Sequence, residues 1–359
     1  MERERFVHQW QASRVVFGAG SLDRLGDELK TLGLRRALLL STPEQADLAA
    51  RVAAALGECA VGVFSQAVMH VPIETARVAR ARALQTRADC AVAVGGGSTI
   101  GLGKAIARDS GLPVIAVPTT LAGSEMTPIY GITEAGLKKT GRDPSVLPRC
   151  VIYDPELLQT LPRAMMVSSG LNAIAHAAEG LYAHDGSPIT DLMAEEGIRT
   201  TAHMLSTLRA LPAEAAVPMD TLGQALHGAW LCGSVLGAVA MGLHHKICHA
   251  LGGSFNLPHA QTHAVMLPHT LAYNAPAAPR AMARVARALG QVSGPAGVHA
   301  LLHGWGVPVS LRELGLPESA LGDVAEAAVR SPYANPRPLE RTALLGMLQR
   351  AWAGLPPQS

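Results

Sequence analysis

The chain predicts an α/β N-terminal domain with a parallel sheet, followed by an all-α helical C-terminal domain. Through the first 150 residues, short β-rich apolar runs alternate with Ala- and Arg-rich stretches of helical period. After about residue 155 that rhythm stops and no run alternates as a strand. With 359 residues, 48% of them hydrophobic and 16% charged, the chain has ample material for two cores. The expected division is 1–155 and 156–359.

The strands are read at Arg36–Leu40, Ala60–Phe64, Cys90–Val94, Pro113–Val117 and Val151–Asp154, each bounded by turn residues. Between them Gln45–Leu56, Thr75–Thr86 and Leu102–Arg108 carry helical periodicity. Strands alternating with helices imply parallel pairing with both sheet faces covered, so each strand is apolar throughout rather than on alternate residues. From Pro155 onward the sequence is Ala-, Leu- and Met-rich, punctuated at Pro188, Pro212, Pro258, Pro268 and Pro276. The apolar stretch Gly228–Leu243 approaches the length of a membrane span, but it is rich in Gly and Ala and runs into His244, His245 and Lys246; a buried helix explains it better.

A formal charge of +2 and the lack of any basic run argue against nucleic acid as a partner. The five cysteines (Cys59, Cys90, Cys150, Cys232 and Cys248) form no close pair, which reads as free thiols in a reducing compartment. The opening MERERFVHQW shows no apolar export segment, so a cytoplasmic protein with no membrane association is expected.

Strand Cys90–Val94 runs into Gly95-Gly96-Gly97-Ser98-Thr99-Ile100-Gly101 before the next helix. Glycines at a strand-to-helix junction admit a ligand close to the backbone, and the new helix presents unpaired N–H groups to an anion. The G-x-G-x-x-x-G spacing is one residue longer than the standard dinucleotide fingerprint, and a tight turn with no ligand produces the same pattern. The following strand adds Pro118-Thr119-Thr120 and Gly123-Ser124-Glu125 at the same carboxyl edge, where open α/β sheets bind their ligands. A nucleotide cleft is therefore the preferred reading.

The helical half carries Asn172-x-x-x-His176, His245-x-x-x-His249 and His259. Residues four apart share a helix face, so each pair points two polar side chains into one space. Burying several imidazoles is unfavourable unless they have partners or a task. A catalytic dication is commonly held by imidazoles plus a carboxylate, and here the position able to supply that charge is the neutral amide of Asn172. No bound metal is expected on this ground. An oxyanion would then be stabilised by hydrogen-bond donors or by a proton from His, with Lys246 supplying positive charge.

GGGSTIGLGKAIA (95–107), PTTLAGSEMTPI (118–129), VIYDP (151–155), SGLNAIAHAAEGLYA (169–183) and GLHHKICHALGGSFNLPHAQTHAVMLPH (242–269) together resemble the iron-containing alcohol dehydrogenase superfamily. Within it, the last segment and Asn172 are similar to maleylacetate reductases. The resemblance implies a dinucleotide-binding α/β domain, a helical domain, an active site in the cleft between them, and a homodimer. Metal-dependent members use an aspartate and three histidines, which fall here on Asn172, His176, His245 and His259; the chain departs at the aspartate, as maleylacetate reductases do. His249 corresponds to a histidine near the nicotinamide ring and is the candidate for proton transfer. Cofactor contacts are implied for Gly96, Gly97, Ser98, Thr119, Thr120, Leu121 and Lys138, with Lys139 a one-residue alternative.

The implied reaction is reduction of maleylacetate to 3-oxoadipate in the breakdown of resorcinol, hydroxyquinol or chlorinated aromatics. That small dicarboxylate calls for cationic groups, and Lys246, His244 and Arg142 are the ones expected to meet it. Where many members place an aspartate for the ribose 2′-hydroxyl, this chain has Ser41-Thr42, so NADPH is not excluded by repulsion from its 2′-phosphate; NADH is the expected donor, with NADPH also admitted. The competing readings are a metal-dependent alcohol or polyol dehydrogenase of the same fold, a metallohydrolase built on the histidines, and a non-catalytic dinucleotide-binding protein.

Overall fold

A computed structural model describes residues 6–9, 13–135, 137–330 and 333–358, with the side chains of 137 and 138 outside the described set. It divides into two compact units, one of residues 11–161 with 218–226 and one of residues 1–10, 162–217 and 227–359.

The first unit is a six-stranded parallel sheet. Its strands are β1 (Arg14–Phe17), β2 (Ala37–Leu40), β3 (Ala60–Phe64), β4 (Cys90–Gly95), β5 (Val114–Pro118) and, after the hairpin β6 (Ile129–Glu134) and β7 (Leu137–Arg142), β8 (Cys150–Tyr153). The sheet order is β1-β8-β5-β4-β2-β3, and β6 pairs antiparallel with β7. Helices α1 (Leu25–Thr31), α2 (Ala46–Leu56), α3 (Ile73–Gln85) and α4 (Gly97–Ser110) connect the strands. On one face Leu39, Val92, Val94 and Ile115 pack with Leu25, Leu29 and Val52 of α1 and α2. On the other, Leu38, Leu40 and Ala91 pack with Ala76 and Ala79 of α3 and with Leu102 and Ile106 of α4. Side chains alternate across a strand, so adjacent leucines serve opposite cores. Each buried leucine side chain contributes about 1.5–3 kcal/mol.

This topology positions the ligand edge. The β2–α2–β3 connection steps toward one edge of the sheet with α2 on one face; β4–α4–β5 steps the other way with α4 on the opposite face. Right-handed crossovers running in opposite directions must lie on opposite faces, and the crevice between them opens at the carboxyl ends of β2 and β4.

The five expected strands are present within a few residues, but β1 and the β6–β7 hairpin were not foreseen. β1 is a four-residue edge strand containing Arg14, and the hairpin lies outside the parallel sheet, so neither has the continuous apolar run of a central strand. The glycine segment is also shorter as a turn than expected: α4 begins at Gly97, with Gly96 as its N-cap.

The second unit is helical: α5 (Arg163–Tyr182), α6 (Pro188–Ala210), the part of α7 (Met219–Ala238) from His227 onward, α8 (Leu243–Phe255), α9 (His259–Asn274), α10 (Pro279–Leu289), α11 (Gly294–Leu302), α12 (Leu321–Arg330) and α13 (Arg341–Ala353). α5 is buried along almost its whole length, and its residues from Met166 to Leu181 form the core. The apolar stretch at 228–243 is broken between α7 and α8, which meet at a 96° bend. Among the described residues no single helix is long and apolar enough to cross a membrane.

Candidate active site

At the crevice edge, Gly95 and Gly96 are required by close approach. A Cβ on Gly95 would meet Thr99 Oγ1 and the Gln45 side chain, and one on Gly96 would lie 2.8 Å from Thr120 Cγ2. The Gln45 amide donates to Thr119 Oγ1 at 2.7 Å, and Thr119 N–H donates to Gly95 O at 3.2 Å, drawing the ends of β4 and β5 together. Gly97 is exposed and Ser98 half-buried in the first turn of α4, whose N–H groups have no intrahelical acceptor. Thr120 is half-buried, whereas Leu121 is fully buried and packs the edge from within. Thr42 starts the short helix after β2. Lys138 lies on β7, and its side chain is outside the described residues.

Below this edge, Lys104 of α4 is completely buried. Its ammonium donates to the carbonyls of Ser124 (2.6 Å), Thr127 (2.8 Å) and Ile129 (2.8 Å) and to Thr127 Oγ1 (2.9 Å), fixing the segment that follows β5. Burial pulls this amine down to about 7.

In the helical unit, α5, α8 and α9 bring their polar residues into one buried array. Asn172, His176 and His245 are 3%, 3% and 6% exposed. The Asn172 amide lies 3.3 Å from His176 Nε2, and His176 Nδ1 lies 2.9 Å from His245 Nε2. His245 Nδ1 meets Glu179 Oε2 at 2.5 Å, and the same carboxylate accepts the backbone N–H groups of His244 (2.9 Å) and His245 (3.3 Å) at the start of α8. Burial works to raise the Glu179 carboxyl, but the His245 ring and the α8 amides outweigh it and hold the group below the usual carboxylate range.

His249 is exposed on α8, its ring edge-on to His245 at 6.1 Å between centroids. His259 is exposed at the first position of α9, 4.3 Å from the ring of His263. Lys246 is half-buried, its ammonium 5.6 Å from the centre of the Tyr333 ring. His244 does not match the expectation that it meets a dianion. It is wholly buried, bonded to Thr270 Oγ1 and His263 Nδ1 at 3.0 Å each, and burial with His245 nearby pulls it down to about 3, so it is a neutral ring. Arg142 is exposed at the end of β7 in the other unit.

Glu179, His263 and Tyr333 were missed. Glu179 stands one turn beyond His176 in HAAE and reads in sequence as a surface charge, although the i, i+3 spacing from His176 was available as a signal. His263 lies four residues beyond His259 on the same face of α9. Tyr333 carries a buried hydroxyl with no hydrogen-bond partner among the described residues, and nothing in its local sequence marks it.

The sequence model of the iron-containing alcohol dehydrogenase family matches residues 12–155, and that of the C-terminal part of the same family matches 166–352. The chain is 60% identical over 352 residues to a maleylacetate reductase of Burkholderia cepacia, covering 98% of this chain and 99% of that one. It is 54% identical over 353 residues to a maleylacetate reductase of Sphingobium indicum, covering 98% and 99%. The solved maleylacetate reductases of Agrobacterium tumefaciens and Rhizobium sp. each share 49% identity, cover 99% of this chain and 100% of theirs, and superpose with TM-scores of 0.94 and 0.93.

The family match overturns the expectation of no bound metal, because the matched family is the iron-containing one. The error was to require the compensating carboxylate at position 172 itself. Glu179 supplies it one imidazole away, bonded to the far nitrogen of His245, an arrangement common behind metal-ligating histidines. In this structure the donor set does not fit an ion: Asn172 Oδ1 is buried without a partner among the described residues, but His176 Nδ1 and His245 Nε2 are in hydrogen-bond contact at 2.9 Å, and the nitrogens of His176, His245 and His259 do not converge within ligand distance of one point.

Proposed function

The chain belongs to the iron-containing alcohol dehydrogenase family and is an oxidoreductase, and we propose that it reduces maleylacetate to 3-oxoadipate with a nicotinamide donor, NADH before NADPH. The observation that carries this reading is the buried Asn172–His176–His245 array backed by Glu179, in a chain that matches maleylacetate reductases along its whole length.

The crevice at β2 and β4 takes the dinucleotide. The first-turn N–H groups of α4 receive its pyrophosphate, Gly95 and Gly96 let it approach, and the Gln45–Thr119 bond holds the edge in shape. When bound, the nicotinamide supplies a hydride to the olefinic carbon. Hydride addition leaves an enolate on the substrate, whose adjacent carbon then takes a proton; His249, exposed beside His245, is the acid. Lys246, steadied over Tyr333, meets a substrate carboxylate. The same reading makes the enzyme a cytoplasmic homodimer acting in aromatic catabolism; five free cysteines, four of them buried, support a reducing compartment.

Spectrophotometric measurement of NADH and NADPH oxidation with maleylacetate tests the substrate, and no turnover with either donor removes the assignment. His249→Ala is expected to leave nicotinamide binding intact while lowering kcat roughly 100-fold or more. Unchanged turnover would take His249 out of the mechanism.

A further inference from the structure

Tyr333 carries a hydroxyl that is buried and, among the described residues, has no hydrogen-bond partner. A buried O–H without an acceptor is unfavourable, and a native structure keeps such a group where a ligand supplies what packing does not. The group is a donor at any working pH: burial first, and then the Glu179 charge, push it above the usual phenol range, so its proton stays on. What it lacks is an acceptor oxygen.

Its place is fixed by the chain that follows it. The side-chain amides of Asn335 and Asn274 of α9 exchange bonds at 3.1 and 2.8 Å, and Asn335 Oδ1 accepts the Leu243 N–H at 3.4 Å at the start of α8. Ala334 O and Asn335 Oδ1 lie so near Gly242 that a Cβ there would meet each at 3.3 Å. Arg337 donates to Tyr273 O at 2.9 Å and covers that ring, 4.3 Å from its centre. The segment after Tyr333 is thus held across α8 and α9.

Lys246, in the first turn of α8, places its ammonium 5.6 Å from the centre of the Tyr333 ring and pairs with no carboxylate among the described residues. Both residues are half-buried. A cation and a neutral O–H donor side by side, with no anion between them, match a carboxylate, which gives one oxygen to each. A cationic ligand is repelled by Lys246, and an alcohol would use one donor and leave the other.

We propose that Tyr333 is a further substrate-binding residue, donating together with Lys246 to one carboxylate of the substrate and so selecting for a molecule charged at that end. This rests on the reading that the enzyme reduces a small dicarboxylate.

The test is Tyr333→Phe in the full-length protein, which keeps the ring beside Lys246 and removes only the O–H. Losing an unsatisfied buried group does not weaken the fold, so by differential scanning fluorimetry the variant is expected to melt at or above the wild-type temperature. Its KM for maleylacetate is expected to rise roughly 10- to 100-fold, the strength of one hydrogen bond to a charged acceptor, with KM for the nicotinamide unmoved. Isothermal titration with adipate, a dicarboxylate of the same chain length with no ketone or double bond, is expected to show the same loss. Lys246→Met combined with Tyr333→Phe is expected to lose less than the product of the two single losses, because both donors serve one carboxylate. A folded Tyr333→Phe with wild-type KM and adipate affinity overturns the proposal while leaving the reductase reading in place. Melting several degrees below wild type also overturns it, since the hydroxyl would then have a partner in the fold. Wild-type protein that turns over no maleylacetate but binds adipate through Tyr333 removes the substrate assignment and keeps the carboxylate site; binding neither removes both.

Discussion

Replacing Glu179 by Gln removes one charge and changes almost no volume, so it isolates what that carboxylate does. In the native protein it is 1% exposed and receives the His245 ring proton at 2.5 Å, the His244 and His245 amides, and the Tyr182 hydroxyl at 3.3 Å. Hydrogen bonds to a charged acceptor are worth about 1.5–3 kcal/mol each, so losing two of them costs about 3–6 kcal/mol. The Gln carbonyl can still accept one of these donors, recovering roughly 0.5–1.5 kcal/mol. The net loss is then about 2–5 kcal/mol, which lowers the melting temperature by roughly 3–7 °C in a chain of this size. Its pH dependence has a definite sign. The folded carboxyl titrates below its ordinary 4.5, so its contribution is complete above that value and disappears as pH falls through the lower folded value. Differential scanning fluorimetry of both proteins from neutral pH to about pH 3 reads this directly. Turnover is expected to fall about 10- to 100-fold, because His245 loses the bond that fixes its tautomer. A variant melting within ~1 °C of wild type at neutral pH would falsify the role assigned to Glu179. So would a deficit of equal size at the acid end.

Gly96→Ala places a methyl carbon 2.8 Å from Thr120 Cγ2 and 2.9 Å from Thr120 Oγ1. Steady-state kinetics should show KM for the nicotinamide rising about tenfold, equivalent to ~1.4 kcal/mol, with kcat at saturation little changed; an unaltered KM places the dinucleotide elsewhere. Asn172→Asp restores an anionic donor beside His176. Chelator competition should then show divalent-ion affinity increased roughly 10-fold or more, whereas equal or weaker binding would mean position 172 faces away from the ion.

The parallel sheet was legible because its central strands are buried on both faces and must be apolar throughout, as in Cys90–Val94 and Val114–Val117. The glycine turn was legible because a missing side chain at a strand end is itself a record of close approach. β1 and the hairpin were obscure for the converse reason: an edge strand and a two-stranded ribbon need no continuous apolar run. In the helical half, the two i, i+4 pairs announced a site, since polar residues repeated on an apolar helix face need partners.

What the amino-acid order determined by itself was therefore a fold class, a glycine-marked sheet edge and a histidine-rich cluster. Charge and hydrogen-bond direction in that cluster were decided only by packing. Whether Glu179 is a solvated helix charge or the buried acceptor of the His245 ring depends on α8 beginning against it, and His244 is closed off by its bonds to Thr270 and His263. Those contacts join residues 19 to 66 positions apart in the chain. Local sequence patterns report which side chains share a helix face; they carry no information on which faces meet, and at Asn172 that difference reversed the reading of the metal.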